Sequence, residues 1–392
     1  MKIYPPQLEK TGEKIIISSI FETNNYKDKL WYEFDIKYKE LLVTEQSDAF
    51  VVGLLLLALR LKEDIYVNTI SARLKYQLNH YLIPALCIAF QEFHKIKVYS
   101  EQENELILSK HESQSATGIS CGVDSIATII EHEKMRGQLQ ISHLTFFNAG
   151  SHGDFGGIYA REIFNKRYDN ILEFANKISL PVIIIDTNLN ELLEMRFVET
   201  HTLRNISCVL NLQKLFKNYY YASAFRFDNF KISDKISDLY DVLTLQMLST
   251  ESIKFYSSLS DKTREERTKL VSKYDVAFQY LDVCTNPRAS KGKINCSKCD
   301  KCMRTQITLD CLGDLDNFRD VFHLDVYQTH KNAFISKIIS NKNRIVMDRN
   351  VLKFITQNNI KITVLHVISS KILMLKGEIN LIKKKLKKDV NQ

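Results

Sequence analysis

Ala116-Thr117-Gly118-Ile119-Ser120-Cys121-Gly122-Val123-Asp124-Ser125 opens the part of the chain from which the fold can be read. Thr117 to Ile119 reads as the end of a buried strand, Ser120 to Ser125 as a turn of mostly small residues, and about Asp124 to Met135 as a helix. The same rhythm recurs. A strand at His143 to Phe147 precedes a helix from about Ile158 to Ile178, a strand at Pro181 to Ile185 precedes a helix from about Arg204 to Asn218, and Tyr219 to Ala224 forms a further strand. Such alternation predicts an α/β fold, a parallel sheet with helices on both faces. In open parallel sheets ligands sit outside the carboxyl ends of the strands, so the loops after Ile119, Phe147, Ile185 and Ala224 are where chemistry is expected.

Upstream, Ile15 to Ile20 and Trp31 to Ile36 alternate apolar and polar positions, the pattern of a half-buried hairpin. The apolar run Ala49 to Leu61 follows Ser47-Asp48, a good capping pair, and a second helix from about Ala72 to Phe90 lies between short strands at Ile65 to Val67 and Ile96 to Tyr99. These readings divide the chain into an N-terminal α/β domain over 1–110, a central domain over 111–315 and a helical C-terminal region over 316–392. The first domain carries no recognisable chemistry.

Composition limits the functional classes. With 392 residues, 45% of them hydrophobic and 26% charged, the chain can bury a sizeable core, and only 12 Gly and 5 Pro exclude a linker-dominated or low-complexity protein. Much of the formal charge of +8 comes from near the end, where Lys383, Lys384, Lys385, Lys387 and Lys388 cluster; they read most simply as a solvated helix end, the alternative being a contact with nucleic acid or anionic lipid. The nearly balanced body argues against a broad nucleic-acid-binding face. Met1 to Pro6 lacks the pattern of a secretory signal, and the longest apolar stretch, Ala49 to Leu59, falls short of the ~20 residues of a membrane span. The expectation is a cytoplasmic protein with no membrane partner; a homodimer is allowed.

The Ser120–Ser125 turn has the properties of an anion cradle. Small side chains let the backbone wrap a phosphate, the Ser120 and Ser125 hydroxyls can donate, and a helix N-terminus adds N–H groups with positive dipole character. Read from periodicity alone, the same turn is an ordinary N-cap formed by Asp124 or Ser125. The string Ser120-Cys121-Gly122-Val123-Asp124-Ser125 resembles the Ser-Gly-Gly-x-Asp-Ser loop of the PP-loop ATP pyrophosphatase superfamily. That resemblance implies an adenine nucleotide alpha hydrolase-like fold, ATP and Mg2+ bound at this loop, and cleavage of the α–β phosphate bond. Ser120, Gly122, Asp124 and Ser125 match the family; Cys121 replaces a Gly at a position where a positive φ would make its Cβ awkward.

Cys284, Cys296, Cys299 and Cys302 form the pattern C-x11-C-x2-C-x2-C, whose short spacings direct thiolates at a common centre. Four thiolates suit a structural zinc, and the same ligands can hold an iron–sulfur cluster. Lys291, Lys293, Lys298 and Lys301 surround them and offset the charge. Cys87, Cys208 and Cys311 read as core residues.

A PP-loop followed roughly 160 residues later by this cluster is similar to the 7-cyano-7-deazaguanine synthases, which make a nitrile from a carboxylate, ammonia and ATP and hold zinc with such cysteines. The likeness covers about 115–315. It implies that Arg204, in an Arg-Asn pair expected to open a helix, and Lys262, at a helix start, stabilise charge at the α-phosphate and on pyrophosphate, beside Asp124 and Ser125. It also implies that Phe147 lies beside adenine. His152 in the small-residue loop after the second strand, and Arg226 with Asp228 beyond Ala224, are candidate substrate contacts; an exposed loop His and a surface ion pair are the plainer readings. The implied activity is adenylation of a carboxylate, on a small molecule or a peptide or protein terminus, followed by attack of a nitrogen nucleophile. The superfamily also includes enzymes that transfer sulfur to RNA, and a degenerate loop would leave only a nucleotide sensor or assembly subunit. On the sequence, Asp124→Ala or Ser125→Ala should abolish ATP use without touching the fold.

Overall fold

The computed structural model describes residues 1–108, 114–286, 289–358 and 360–375; the Lys383–Lys388 cluster lies outside them. Eleven strands build one mostly parallel sheet: β1 (Lys2–Ile3), β2 (Gln7–Thr11), β3 (Lys14–Glu22), β4 (Lys27–Asp35), β5 (Ile65–Ser71), β6 (Val98–Asn104), β7 (Gln114–Gly118), β8 (Ile141–Asn148), β9 (Val182–Thr187), β10 (Phe216–Ala222) and β11 (Lys254–Ser258). The order is β11-β10-β7-β8-β9-β4-β3-β1-β5-β6, with β2 on β3.

In one half of the sheet, β11, β10, β7, β8 and β9 are all parallel. β7 comes first in the chain and sits in the middle, with β8 and β9 added on one side and β10 and β11 on the other. The order therefore reverses between β7 and β10, the kind of position at which open parallel sheets take ligands.

The hairpin expected at the N-terminus is β3 paired with β4, antiparallel over nine residue pairs, with Ile15, Ile17 and Phe21 buried and their neighbours more exposed. The division into domains differs from the expected one near residue 110. β4 pairs with β9 through Tyr32↔Thr187 and Glu33↔Asp186, so the sheet runs without a break into the central strands. Met1–Ser120 and Thr128–Lys262 accordingly form one compact unit, and Cys121–Ala127 with the chain from Thr263 form the other.

The first unit's core gathers the buried helix Asp48–Leu61 and the sheet's apolar residues. Removing each of those aliphatic side chains from water contributes about 1.5–3 kcal/mol. Ser47 does stand at the N-cap but makes no side-chain cap bond; the buried Asp48 carboxylate instead accepts from Ser71 N–H at 2.9 Å and Gln213 Nε2 at 3.0 Å. The helix expected over Ala72 to Phe90 carries a π turn at Leu78–Leu82 just before Pro84, which has no N–H to continue the regular ladder.

In the second unit, Cys299 stands at the N-cap of the Asp300–Cys311 helix, and Leu324–Asn341, Val346–Gln357 and 364–375 follow as helices, as the C-terminal sequence predicts. Arg304 Nε donates to the buried Asp348 at 2.7 Å, which joins the first of these helices to the Val346–Gln357 helix.

Candidate functional site

The turn after β7 alternates outward and inward. Ser120 is exposed and Gly122 half-buried, whereas Cys121 and Val123 are buried. Cys121 has φ +53°, the left-handed conformation that glycine adopts without cost. Its side chain nevertheless points inward, where burial pushes the thiol well above its usual range. At the start of the Val123–Glu133 helix Ile126 N–H donates to the Gly122 carbonyl at 3.0 Å. The Ser125 hydroxyl donates to the Gly122 carbonyl at 3.1 Å and braces the turn.

Asp124 is held from two sides. Arg264 Nη1 meets its Oδ2 at 2.5 Å and the fully buried Arg267 meets its Oδ1 at 3.0 Å. Burial pushes the carboxyl up, but the two guanidinium groups outweigh it and hold Asp124 below its usual range. At this helix start the sequence pointed to Lys262, and to neither Arg264 nor Arg267, as a site residue. Their spacing of three residues, one turn of the Arg264–Val271 helix, is the signal that they share a face. The helix start itself is as expected, with Thr263 and Glu266 forming a reciprocal capping box. Because Asp124 neutralises a buried arginine, Asp124→Ala will disturb the fold, contrary to the sequence expectation; Ser125→Ala is the cleaner change.

Of the other predicted residues, Lys262 pairs with Asp261 at 2.8 Å immediately before the cap. Arg204 does not open a helix: the helix runs Phe197–Leu210, and Arg204 lies in its middle, fully buried. It donates to the carbonyls of Asp154 and Met195 and to Asn190 Oδ1, and its Nη1 lies 2.6 Å from where a Cβ on Gly150 would stand. Arg204 thus braces the loop after β8 rather than presenting a charge to a ligand. Phe147 is buried in the core cluster, which leaves it little face for an adenine ring. His152 is neither exposed nor cationic: it is buried between Phe146 and Phe164, its Nδ1 is 3.0 Å from Ser151 Oγ, and burial with Arg167 nearby pushes it down to about 3. Arg226 and Asp228 pair with each other at the surface, the plainer of the two sequence readings.

The carboxyl ends of β10 and β11 carry a polar network that the sequence reading did not find. His201 Nδ1 lies 2.6 Å from Tyr221 Oη and its Nε2 lies 3.1 Å from Asp238 Oδ2. Beside them the buried Asp241 accepts from Ser257 and Ser223 at 3.3 and 3.4 Å, and burial raises its carboxyl to about 7. Nothing in spacing joins residues 201, 221, 238 and 241; only the fold does.

Cys284, Cys296, Cys299 and Cys302 converge, all four sulfurs lying within 4.8 Å of one another. Cys299 and Cys302 are 3.4 Å apart and Cys296 and Cys302 4.0 Å, against about 3.8 Å for the edge of a tetrahedron with Zn–S of ~2.3 Å. N–H groups of Asn286 and Cys296 point at Cys284 Sγ and that of Cys299 at Cys296 Sγ, which favours thiolates. The cluster can hold a metal ion. Cys208 is a core residue as expected, while Cys87 and Cys311 are only half-buried. Lys293 Nζ is engaged by the carbonyls of Arg319 and Phe322, a local brace and not a counter-charge.

The chain matches no protein-family model, no curated protein and no solved structure.

Proposed function

We propose that the chain is an ATP-dependent ligase that binds the nucleotide at the Ser120–Ser125 turn, adenylates a carboxylate and passes the acyl group to a nitrogen nucleophile. One observation carries the reading. The turn leaves β7 where the strand order reverses, with Ser120 and Gly122 outward and the one awkward Cβ, that of Cys121, turned inward.

The substrate carboxylate would attack the α-phosphorus, pyrophosphate would leave, and the nitrogen nucleophile would then displace AMP from the acyl adenylate. The N–H groups of the first helical turn and the Ser120 hydroxyl would hold the departing anion, with Ser125 keeping the turn in shape. Asp124 is a positioning residue that aims Arg264, whose guanidinium supplies positive charge. Mg2+, entering with ATP, would neutralise phosphate charge. The inward turn of Cys121 favours a nucleotide-competent loop over a blocked sensor, and its burial disfavours a sulfur-transfer role.

The four cysteines would hold a structural Zn2+, since four thiolates leave no open position. Its chemistry is to fix the segment around the Asp300–Cys311 helix.

Calorimetric titration with a non-hydrolysable ATP analogue tests the reading, followed by pyrophosphate release with candidate carboxylates, 7-deazapurine carboxylates first. Micromolar to millimolar binding weakened at least ~tenfold by Ser125→Ala is expected. Absence of analogue binding to the wild type would overturn the reading.

A further inference from the structure

We infer that the helix over residues 364–375 is a docking element for an anionic bilayer surface. Its inward-facing residues are polar: His366 and Ser370 are buried, and His366 Nε2 meets Asn332 Oδ1 of the Leu324–Asn341 helix at 3.2 Å. The aliphatic side chains face out. Leu365, Ile368, Ile372 and Leu375 are 73%, 49%, 48% and 59% exposed, and their spacing of three and four aligns them as one stripe. A helix docked by its polar side leaves aliphatic surface in water, and a contiguous patch of this kind marks a surface that something else covers. In the sequence the same spacing continues through Ile379, Ile382 and Leu386.

Charge selects the occupant. Residues 360–392 hold eight lysines against two acids, so most of the chain's net +8 sits at this end of the sequence; Lys371 lies on the described helix and six lysines follow it in the sequence. A second copy of the chain would set these lysines against their equals, which opposes pairing. Nucleic acid would satisfy the lysines, but the segment contains no aromatic residue and no arginine, and its aliphatic stripe has no counterpart on a phosphate backbone. Acidic headgroups over hydrocarbon satisfy both halves: the aliphatic side chains enter the acyl boundary while the lysines stay at headgroup level. The helix would lie in the membrane plane, since no helix among the described residues is long and apolar enough to cross. Docking on a bilayer departs from the sequence expectation of no membrane partner and takes up the alternative, contact of the basic tail with anionic lipid, that the sequence reading set beside a solvated helix end.

The test uses the full chain with phosphatidylcholine vesicles, with and without roughly one lipid in three replaced by phosphatidylserine. Co-sedimentation should rise at least ~tenfold on the anionic vesicles and fall again at high salt. Ile368→Ser with Ile372→Ser should reduce it by at least ~tenfold while leaving metal content and circular dichroism unchanged, because both side chains are exposed. Equal sedimentation with neutral and anionic vesicles would overturn the inference. So would concentration-dependent dimerisation, or binding of a mixed-sequence RNA, that the same double variant abolishes while vesicle binding persists. None of these measurements involves ATP, so the outcome is independent of the ligase reading.

Discussion

Arg267 reaches Asp124 across 143 positions of sequence, its Nη1 lying 3.0 Å from the Asp124 Oδ1 with the guanidinium fully buried. Removing one member of such a pair leaves the other buried without its counter-charge, which costs about 3–5 kcal/mol. Asp124→Asn should therefore lower stability by several kcal/mol in urea unfolding, and Arg267→Leu added to it should recover part of the loss. A strictly additive double variant would show that the two residues are not coupled.

Cys121 makes a second prediction, from backbone conformation. At φ +53° a non-glycine residue carries about 1–2 kcal/mol of steric strain, while its buried thiol contributes packing of similar size. Cys121→Gly should then change stability by no more than ~1 kcal/mol and leave binding of an ATP analogue at or above the wild-type level. Cys121→Val, β-branched in the same conformation, should destabilise by ~2 kcal/mol or more. A Gly variant that binds the analogue markedly more weakly would mean that the cysteine itself contributes to the site.

The cysteine cluster is tested by its metal. Purified protein should contain one zinc per chain, and Cys302→Ser, at a fully buried ligand position, should remove most of it and lower the melting temperature. Apart from the metal, four crowded thiols share protons unevenly: hydrogen bonds from Cys284 and Cys302 hold Cys299 well below the usual thiol range, while Cys302 is pushed up. Iron in place of zinc, or full zinc retention in the variant, would refute the structural-zinc assignment.

These residues also show how far sequence carries. Four of the five parallel strands were legible as apolar runs set among helical periods, whereas β11 was not read from the sequence, and the cluster was legible because its spacing is itself the geometry. The β4–β9 pairing that fuses the expected first domain to the central sheet was not, since two antiparallel residue pairs leave no pattern in either strand. Arg204 was misplaced for a related reason. Its helix begins seven residues earlier, at Phe197, where charged and apolar residues mix without a capping signal, and a charged residue in the middle of that helix gives no hint that backbone carbonyls will enclose it. His201, Tyr221, Asp238 and Asp241 were beyond reach because four separate elements bring them together.

Asp241 supplies the last prediction, a dependence of stability on pH. Burial, reinforced by Asp238, raises its carboxyl from 3.8 to about 7, against the opposing influence of His201 and the hydroxyls of Ser257 and Ser223. The folded state therefore binds this proton more tightly than the unfolded chain, so the stabilisation is complete below about pH 4 and is lost as the pH rises through about 7. A shift of that size corresponds to an upper bound on the order of 4 kcal/mol. Asp48, raised to about 6 by burial, acts in the same direction but is exhausted sooner. Replacing Asp241 with Asn keeps a side chain of the same shape and removes the titration, so the part of the decline that persists between about pH 6 and 8 should disappear. Urea midpoints of both proteins at half-unit steps from about pH 5 to 8 measure this directly. Parallel curves for wild type and Asp241→Asn would mean that Asp241 is already ionised in the folded protein, and that the network at the ends of β10 and β11 holds a charge where the geometry places a proton.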